Sequence, residues 1–170
     1  MKKLLCLFAA TLAYGVAWAG DLMIRWDRME ASFLQADESG CVGDICPGRV
    51  RTVGGGRAML NLSTGFLTFR VERLSIAAHF TNGPLGSMTS QANFIGTVVC
   101  DSTERFSEME YVDTAPIVLT QGSGDFQGFV DLPDGCIQRP AETVFLVRHY
   151  NPGAGIDGLY AAYGAGRTIQ

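Results

Sequence analysis

Lysine is nearly absent from this sequence, and its two lysines, Lys2 and Lys3, both stand at the start. Histidine is equally scarce, since only His79 and His149 occur. Beyond residue 19 the chain carries 11 Arg against 17 Asp and Glu, which gives a net charge of −6. Nucleic acids and anionic membranes are bound through clustered positive charge, so this composition argues against both as partners.

Long hydrophobic runs are also missing, except at the start of the chain. There Lys2 and Lys3 precede an uncharged apolar stretch at 4–16, and Ala17-Trp18-Ala19 matches the small-x-small pattern cut by signal peptidase. The run of about 16 residues is shorter than the roughly 20 that span a bilayer. We therefore predict a signal peptide at residues 1–19, cleaved before Gly20. Residues 20–170 are then one periplasmic or secreted domain with no membrane span.

Cysteine is sparse but even in number after the signal, with Cys41, Cys46, Cys100 and Cys136. An even count in an oxidising compartment predicts two disulfides, for which three pairings exist. We favour Cys41–Cys46, which flanks a turn-like insert, together with Cys100–Cys136. Four residues separate Cys41 from Cys46, whereas a thioredoxin-like redox motif has two, and oxidised cysteines do not ligate zinc. The cysteines thus predict structural crosslinks and neither a cofactor nor a metal.

Glycine, in contrast, is abundant, with 21 residues, and short apolar runs recur between turn-forming segments without a sustained helical period. This pattern predicts an all-β fold, a disulfide-bonded antiparallel β-sandwich of immunoglobulin-like type or a small barrel. Segment 22–34 fits a helix or a strand, and we favour the strand. A hairpin turn is predicted at 121–125, between antiparallel strands at 116–120 and 126–132. The expected core consists of Phe66, Phe69, Phe94, Ile95, Val98, Val99, Ile117, Leu119, Phe126, Val130, Val144, Leu146 and Tyr160.

The two histidines are the first candidates for catalysis. His149 ends the predicted strand TVFLVRH, close to a Gly/Pro turn, and a Ser-His-Asp arrangement requires such a histidine. No serine lies in the Gly-x-Ser-x-Gly motif of a nucleophile elbow, however. Histidines at strand ends are mostly solvated surface residues, so we predict no catalytic residue at His149 or at His79.

Carboxylates offer two further candidate sites. Glu104, Glu108 and Glu110 lie close in sequence and could supply the acid and nucleophile of a glycosidase. A calcium site could use Asp125, Asp131 or Asp134, because extracellular Ca²⁺ is bound by loop carboxylates. Local acidic runs are usually solvated loops, and repeated Asp-x-Asp spacing is missing here. The prediction is therefore that neither set forms a site.

Several segments resemble a family of small exported bacterial proteins of uncharacterised function. The resemblance rests on RTVGGGRAMLNL (51–62), ANFIGTVVCD (92–101), APIVLTQGSGDFQGFVDLPDGC (115–136), VFLVRH (144–149) and LYAAYG (159–164). It covers about two-thirds of the chain, and the matching motifs are turns, cysteines and core strands. It implies a β-sandwich in which the two cysteines of these segments are joined, and it implies no activity.

The function predicted from the sequence is that of a non-catalytic binding or interaction module of the cell envelope or exterior. Its partner would be a protein or a glycan, contacted by edge strands and by the long loops 35–47, 79–91 and 101–114, because loops on a rigid scaffold vary freely. Two alternatives remain open. One is a hydrolase acting on an extracellular polymer, and the other is a structural subunit that self-associates edge to edge.

Overall fold

The computed structural model describes residues 21–32, 40–43, 45–48, 51–76, 92–102, 110–153 and 155–170, and these are mostly β-strand. The predicted signal peptide at 1–19 lies outside the described residues. Helix within them is limited to α1 (Asp134–Gln138) and a 3₁₀ turn at Pro140–Glu142. The strands are β1 (Met23–Ala31), β2 (Cys46–Pro47), β3 (Arg51–Thr52), β4 (Gly55–Asn61), β5 (Phe66–Glu72), β6 (Ser75–Ile76), β7 (Ala92–Cys100), β8 (Glu110–Asp113), β9 (Ile117–Leu119), β10 (Gly124–Phe129), β11 (Val144–Asn151) and β12 (Gly155–Ile169).

Ten of these strands form a single sheet in the order β10-β5-β4-β1-β12-β11-β7-β8. Every pair along this path is antiparallel, while β9 also pairs with β7 and the short β2 runs parallel to β12. β3 and β6 form a separate two-stranded sheet. The long sheet curls, and a bridge between Thr120 and Ser123 brings β9 beside β10. The predicted all-β, antiparallel, sandwich- or barrel-like class is therefore confirmed, and segment 22–34 provides a strand.

The turn at residues 120–123 connects β9 to β10 and so joins the two ends of the curled sheet. Gln121 and Gly122 have φ values of 51° and 73°, as in the type I′ turn of a two-residue hairpin. The Thr120 N–H donates to the Ser123 carbonyl at 2.9 Å, and the Ser123 N–H donates to the Thr120 carbonyl at 3.0 Å. The predicted hairpin turn is thus confirmed.

The strand that follows this turn does not stay with its predicted partner. β10 leaves β9 after the bridge and pairs with β5 over its whole length, so the antiparallel return of 126–132 onto 116–120 is wrong. Phe126 lies opposite Phe69 of β5, and the two rings stack with centroids 5.6 Å apart. This aromatic contact, together with six ladder positions, replaces the contacts that a continued hairpin would have made.

The main core fills the concave side of the sheet and is dominated by aromatic and branched side chains. Trp26, Phe94 and Phe145 are the largest fully buried residues, and the Trp26 and Phe145 rings lie 5.7 Å apart. Glycines make room for these rings. A Cβ at Gly164 would lie within 2.6–2.9 Å of three Trp26 atoms, and one at Gly96 would lie 2.6 Å from a Phe69 ring carbon. The sheet can therefore hold large rings only because the facing strands carry glycine at these positions.

The core prediction was wrong at Phe66, which is only half-buried. β5 alternates, with Leu67, Phe69 and Val71 buried and the residues between them more exposed. Because neighbouring residues of a strand face opposite sides, Phe66 and Phe69 cannot both point into the same core. Phe66 instead pairs on the outer face with Phe129, at a centroid distance of 5.2 Å.

A smaller apolar cluster covers the outside of the sheet, where Ile45, Val99, Leu146 and Tyr160 pack together. The cysteines Cys41 and Cys46 bracket Ile45 and lie at disulfide distance. The Tyr160 hydroxyl donates to the Gly40 carbonyl at 2.7 Å, and burial raises the pKa of this phenol. The Cys41–Cys46 loop is thereby held against the outer face of β11 and β12.

The second cysteine pair lies at the end of the main core. Cys100 and Cys136 are fully buried and at disulfide distance, which is the pairing favoured from the sequence. Within 133–140, five residues form α1. The buried Cys136 lies in this helix and so fixes the crossing from β10 to β11 against the end of β7.

Candidate functional site

The predicted catalytic candidates are spread over the molecule. His149 lies on β11 opposite Phe94, and the two rings meet edge to face with centroids 5.5 Å apart. Glu110 accepts a hydrogen bond from the Gly135 backbone N–H at 3.1 Å, next to the Cys136 crosslink. These contacts are the packing and turn contacts of a scaffold. His79, Glu104 and Glu108 lie outside the described residues.

The three aspartates considered for calcium also separate. Asp125 is on β10, Asp134 opens α1, and Asp131 lies in the segment between them. In the part of the chain that the structure describes, no group of three His, Cys, Asp or Glu side chains is placed to hold a metal ion. Asp125 instead belongs to a groove that the sequence did not reveal.

This groove crosses the outer surface of four neighbouring strands, β1, β4, β5 and β10, and has a volume of about 490 Å³. Its floor is the backbone of Trp26, Ala58, Phe69 and Phe126, which lie directly opposite one another across the four strands. Their side chains point away from the groove into the core, and three of the four are fully buried. The groove therefore runs across the strands rather than along them.

Two cross-strand rows of side chains form its walls. The Thr68 wall consists of Arg25, Met59, Thr68 and Gln127. The Arg57 wall consists of Asp27, Arg57, Arg70 and Asp125. Each wall residue is one position from the floor, so the walls are about 7 Å apart, and four strands make the floor about 14 Å long. These dimensions suit one extended chain of small cross-section.

The Arg57 wall has a specific charge pattern. Arg57 and Arg70 lie directly opposite each other, Asp125 lies opposite Arg70, and Asp27 follows the floor residue of β1 at the other end. Read across the strands, the charges run negative, positive, positive, negative. Like charges at opposed positions in a sheet are destabilising, and here only the Arg70 side of the pair is compensated by an ion pair, with Glu72.

Most of these charged groups have unused hydrogen-bonding capacity. Arg70 pairs with Glu72 on its own strand, through Nε and Oε1 at 3.0 Å, and its side chain is 63% exposed. Among the described residues, Arg25, Arg57, Asp27 and Asp125 form no ion pair. The groove thus presents arginine donors and aspartate acceptors to solvent.

One row further along β5 and β10 lies the Phe66–Phe129 pair. Phe129 is 73% exposed and is the most exposed of the large hydrophobic residues among those described. Its ring packs on Phe66 beside the Thr68 wall. Phe66 lies two residues before Thr68 on β5, and Phe129 lies two residues after Gln127 on β10. The outer face therefore combines an apolar platform with a polar groove.

A buried polar cluster at the other end of the sheet has a different character. The Thr97 hydroxyl donates to Asp113 Oδ1 at 2.5 Å, and Arg148 Nη1 lies 3.7 Å from the same oxygen. Thr97 is fully buried, and the Arg148 side chain is only 8% exposed. The three residues come from the neighbouring strands β7, β8 and β11, so this cluster holds β8 to the sheet.

A second polar group joins β1 to β12. The Tyr163 hydroxyl donates to Glu30 Oε2 at 2.5 Å, and Arg28 Nε bonds the other oxygen of this carboxylate at 2.7 Å. These hydrogen bonds lower the pKa of Glu30, while the bond to Glu30, reinforced by burial, raises the pKa of Tyr163 to about 12. Tyr163 lies opposite Glu30 in the ladder, so the pair secures the register of β1 on β12.

Within the described residues, no helix combines the length and hydropathy that crossing a membrane requires. Comparison of the chain with protein-family models, with curated proteins and with solved structures finds no match in any of the three.

Proposed function

We propose that this chain is an exported, non-catalytic binding module that holds an extended ligand in the groove across β1, β4, β5 and β10. The observation that carries the proposal is the groove itself, about 490 Å³ in volume, in whose walls Arg25, Arg57, Asp27 and Asp125 form no ion pair among the described residues. Binding sites on rigid sheets are formed by such concave surfaces with convergent polar groups.

The chemistry of the walls supports binding rather than catalysis. The groove is lined by arginine, aspartate, glutamine and threonine, and Thr68 is its one hydroxyl-bearing residue. Nucleophilic catalysis requires a base within hydrogen-bond reach of such a hydroxyl, and the lining includes neither histidine nor cysteine. Its two carboxylates, Asp27 and Asp125, lie on the outermost of the four strands, about 14 Å apart, whereas the two carboxylates of a glycosidase lie about 5–9.5 Å apart. The arrangement suits recognition through many hydrogen bonds.

Export supports the same proposal. The predicted signal at 1–19 and the resemblance to small exported bacterial proteins both indicate a periplasmic or extracellular location. The cysteines at disulfide distance suit an oxidising compartment. In that setting extended polymers such as glycans and unfolded peptides are candidate ligands, and a groove across a sheet accommodates one chain of either.

The proposal is tested by filling the groove. Thr68→Trp places an indole on the groove wall, whereas Val118→Trp places the same group on β9, at a position that is 51% exposed and outside the groove. The full-length exported protein and both variants are applied to an array of neutral polysaccharides, acidic polysaccharides and peptides.

We expect at least one polymer to be retained by the wild type and by Val118→Trp, and lost by Thr68→Trp, with melting temperatures showing that both variants fold. Equal retention by all three proteins, or retention of no polymer by the wild type, would overturn the proposal.

A further inference from the structure

We infer that the ligand of the groove is a polysaccharide bearing carboxylate groups, with one carboxylate seated between Arg57 and Arg70. This inference rests on the proposed binding function and adds the chemistry of the ligand. It follows from the charge pattern of the walls, from the state of the backbone beneath them and from the aromatic pair beside them.

The opposed arginines are the first argument. Arg57 and Arg70 face each other on adjacent strands, and Arg25 of the opposite wall lies one strand from Arg57. Glu72 already pairs with Arg70, whereas Arg57 forms no ion pair among the described residues, so an anion between the two arginines gives Arg57 a partner and lowers their mutual repulsion. The planar guanidinium group binds carboxylates through paired hydrogen bonds, so two opposed arginines form a clamp for this group.

The ends of the Arg57 wall restrict the ligand further. Asp27 and Asp125 flank the arginines and would repel a ligand charged at every unit. They accept hydrogen bonds, and so they suit the hydroxyl groups of sugar units on either side of an acidic one. The net charge of this part of the chain also restricts the ligand. Residues 21–76 contain seven Arg and seven acidic residues, so the region is neutral overall and unsuited to binding a polyphosphate.

The floor argues against a peptide. Peptides bound to sheets usually add a strand at an edge, where free backbone groups form hydrogen bonds with the ligand. Here the floor lies within β1, β4, β5 and β10, whose ladders pair with one another across the groove. A ligand that crosses these strands therefore contacts side chains and not backbone groups. Hydrogen bonds from side chains suit a sugar chain, because it carries many hydroxyl groups.

The aromatic pair provides the third argument. Phe129 and Phe66 lie about 7 Å from the Thr68 wall, which is two residues along each strand. Exposed aromatic surface of this kind usually marks an interaction site. The apolar face of a sugar ring fits on this platform while its hydroxyl groups reach Thr68 and Gln127.

The test uses a partly methyl-esterified polygalacturonate, in which neutral units separate the acidic ones and which is called polygalacturonate below. Its fully methyl-esterified form and dextran sulfate are the other probes, and binding is measured by calorimetric titration of the full-length protein. Arg57→Gln removes one positive charge from the groove, and Arg28→Gln removes one from β1 at an exposed position outside it. Both variants change the net charge equally, so non-specific electrostatic attraction weakens equally in both.

We expect polygalacturonate to bind the wild type at least about tenfold more tightly than its methyl ester does, since a charge-assisted hydrogen bond is worth roughly this factor. Arg57→Gln removes that preference, and Arg28→Gln retains it. Binding should weaken as salt is raised, because exposed charges are screened.

The contrary outcomes separate the two proposals. If ester and acid bind equally and Thr68→Trp abolishes both, the groove is a binding site and the acidic ligand is wrong. Tighter binding of dextran sulfate overturns the carboxylate assignment in favour of a sulfated polymer. If polygalacturonate binding is unchanged in Thr68→Trp, the groove is not the site, and both proposals fall.

Discussion

Gly96 lies where β7 passes closest to the aromatic core, and its replacement by alanine is the most direct test of the packing. The added Cβ would lie 2.6 Å from Phe69 Cε1 and 3.0 Å from two ring carbons of Phe145. Both rings are fully buried, so neither can move away into solvent. The Gly96 backbone is also held by hydrogen bonds with Thr114 on both its N–H and its carbonyl.

Overpacking of this kind costs about 1–3 kcal/mol in the free energy of unfolding. For a domain of this size each kcal/mol lowers the melting temperature by about 2–4 °C. The assay is urea unfolding followed by tryptophan fluorescence. Gly153→Ala is the control, because this glycine lies in an exposed turn and a Cβ added there would come no closer than 3.7 Å to another atom, Asn151 Oδ1.

A double-mutant cycle with Phe69→Leu tests whether the stability lost in Gly96→Ala comes from the contact with the Phe69 ring or from a general effect of alanine. That change removes the ring carbon closest to the new Cβ, so Gly96→Ala should cost at least about 0.5 kcal/mol less in this background. The reasoning is refuted if Gly96→Ala costs no more than Gly153→Ala, or if the two changes at the core are additive.

Two further predictions concern the crosslinks and pH. Replacing both cysteines of the Cys100–Cys136 pair by alanine should lower the free energy of unfolding by about 4 kcal/mol, against about 2 kcal/mol for the Cys41–Cys46 pair, because the crosslink that closes the longer loop restricts the unfolded chain more. Denaturant midpoints under non-reducing conditions measure the two losses, and a larger loss for the Cys41–Cys46 pair contradicts the prediction. Glu30 has a lowered pKa and Tyr163 a raised one, so their pair stabilises the fold between the two titrations. Stability from Glu30 is lost as pH falls through its folded pKa, and stability from Tyr163 is lost as pH rises from its ordinary value near 10 towards about 12. In Tyr163→Phe both dependences should shrink in urea titrations across pH, and an unchanged pH profile would contradict this linkage.

Much of the scaffold could be predicted from residue patterns, because strands buried on both faces read as continuous apolar runs. ANFIGTVVC and VFLVRH are such runs, and they form β7 and β11. The first strand was harder to assign, since Trp26 and Met29 also fit one face of a helix. Its strand partners, β4 and β12, decide the matter through long-range pairing.

The groove could not be predicted in the same way. Its walls combine residues from 25–27, 57–59, 68–70 and 125–127, which meet only because of the register between four strands. A shift of one residue in any pairing would turn the floor outward and the walls inward. The charge pattern across Arg57 and Arg70 therefore depends on the pairing of β4 with β5 and cannot be seen in the sequence, where the two residues are 13 positions apart.

The fifteen residues of β12 serve three neighbours at once, β1, β11 and β2. During synthesis this segment is the last strand of the sheet to become available. Until it pairs, β1 and β11 each have one edge whose backbone groups lack hydrogen-bond partners, and the core rings between them remain exposed to solvent. Completion of the fold is thus timed by the emergence of 155–169, and a chain truncated within this segment is prone to aggregation through the unpaired edges of β1 and β11.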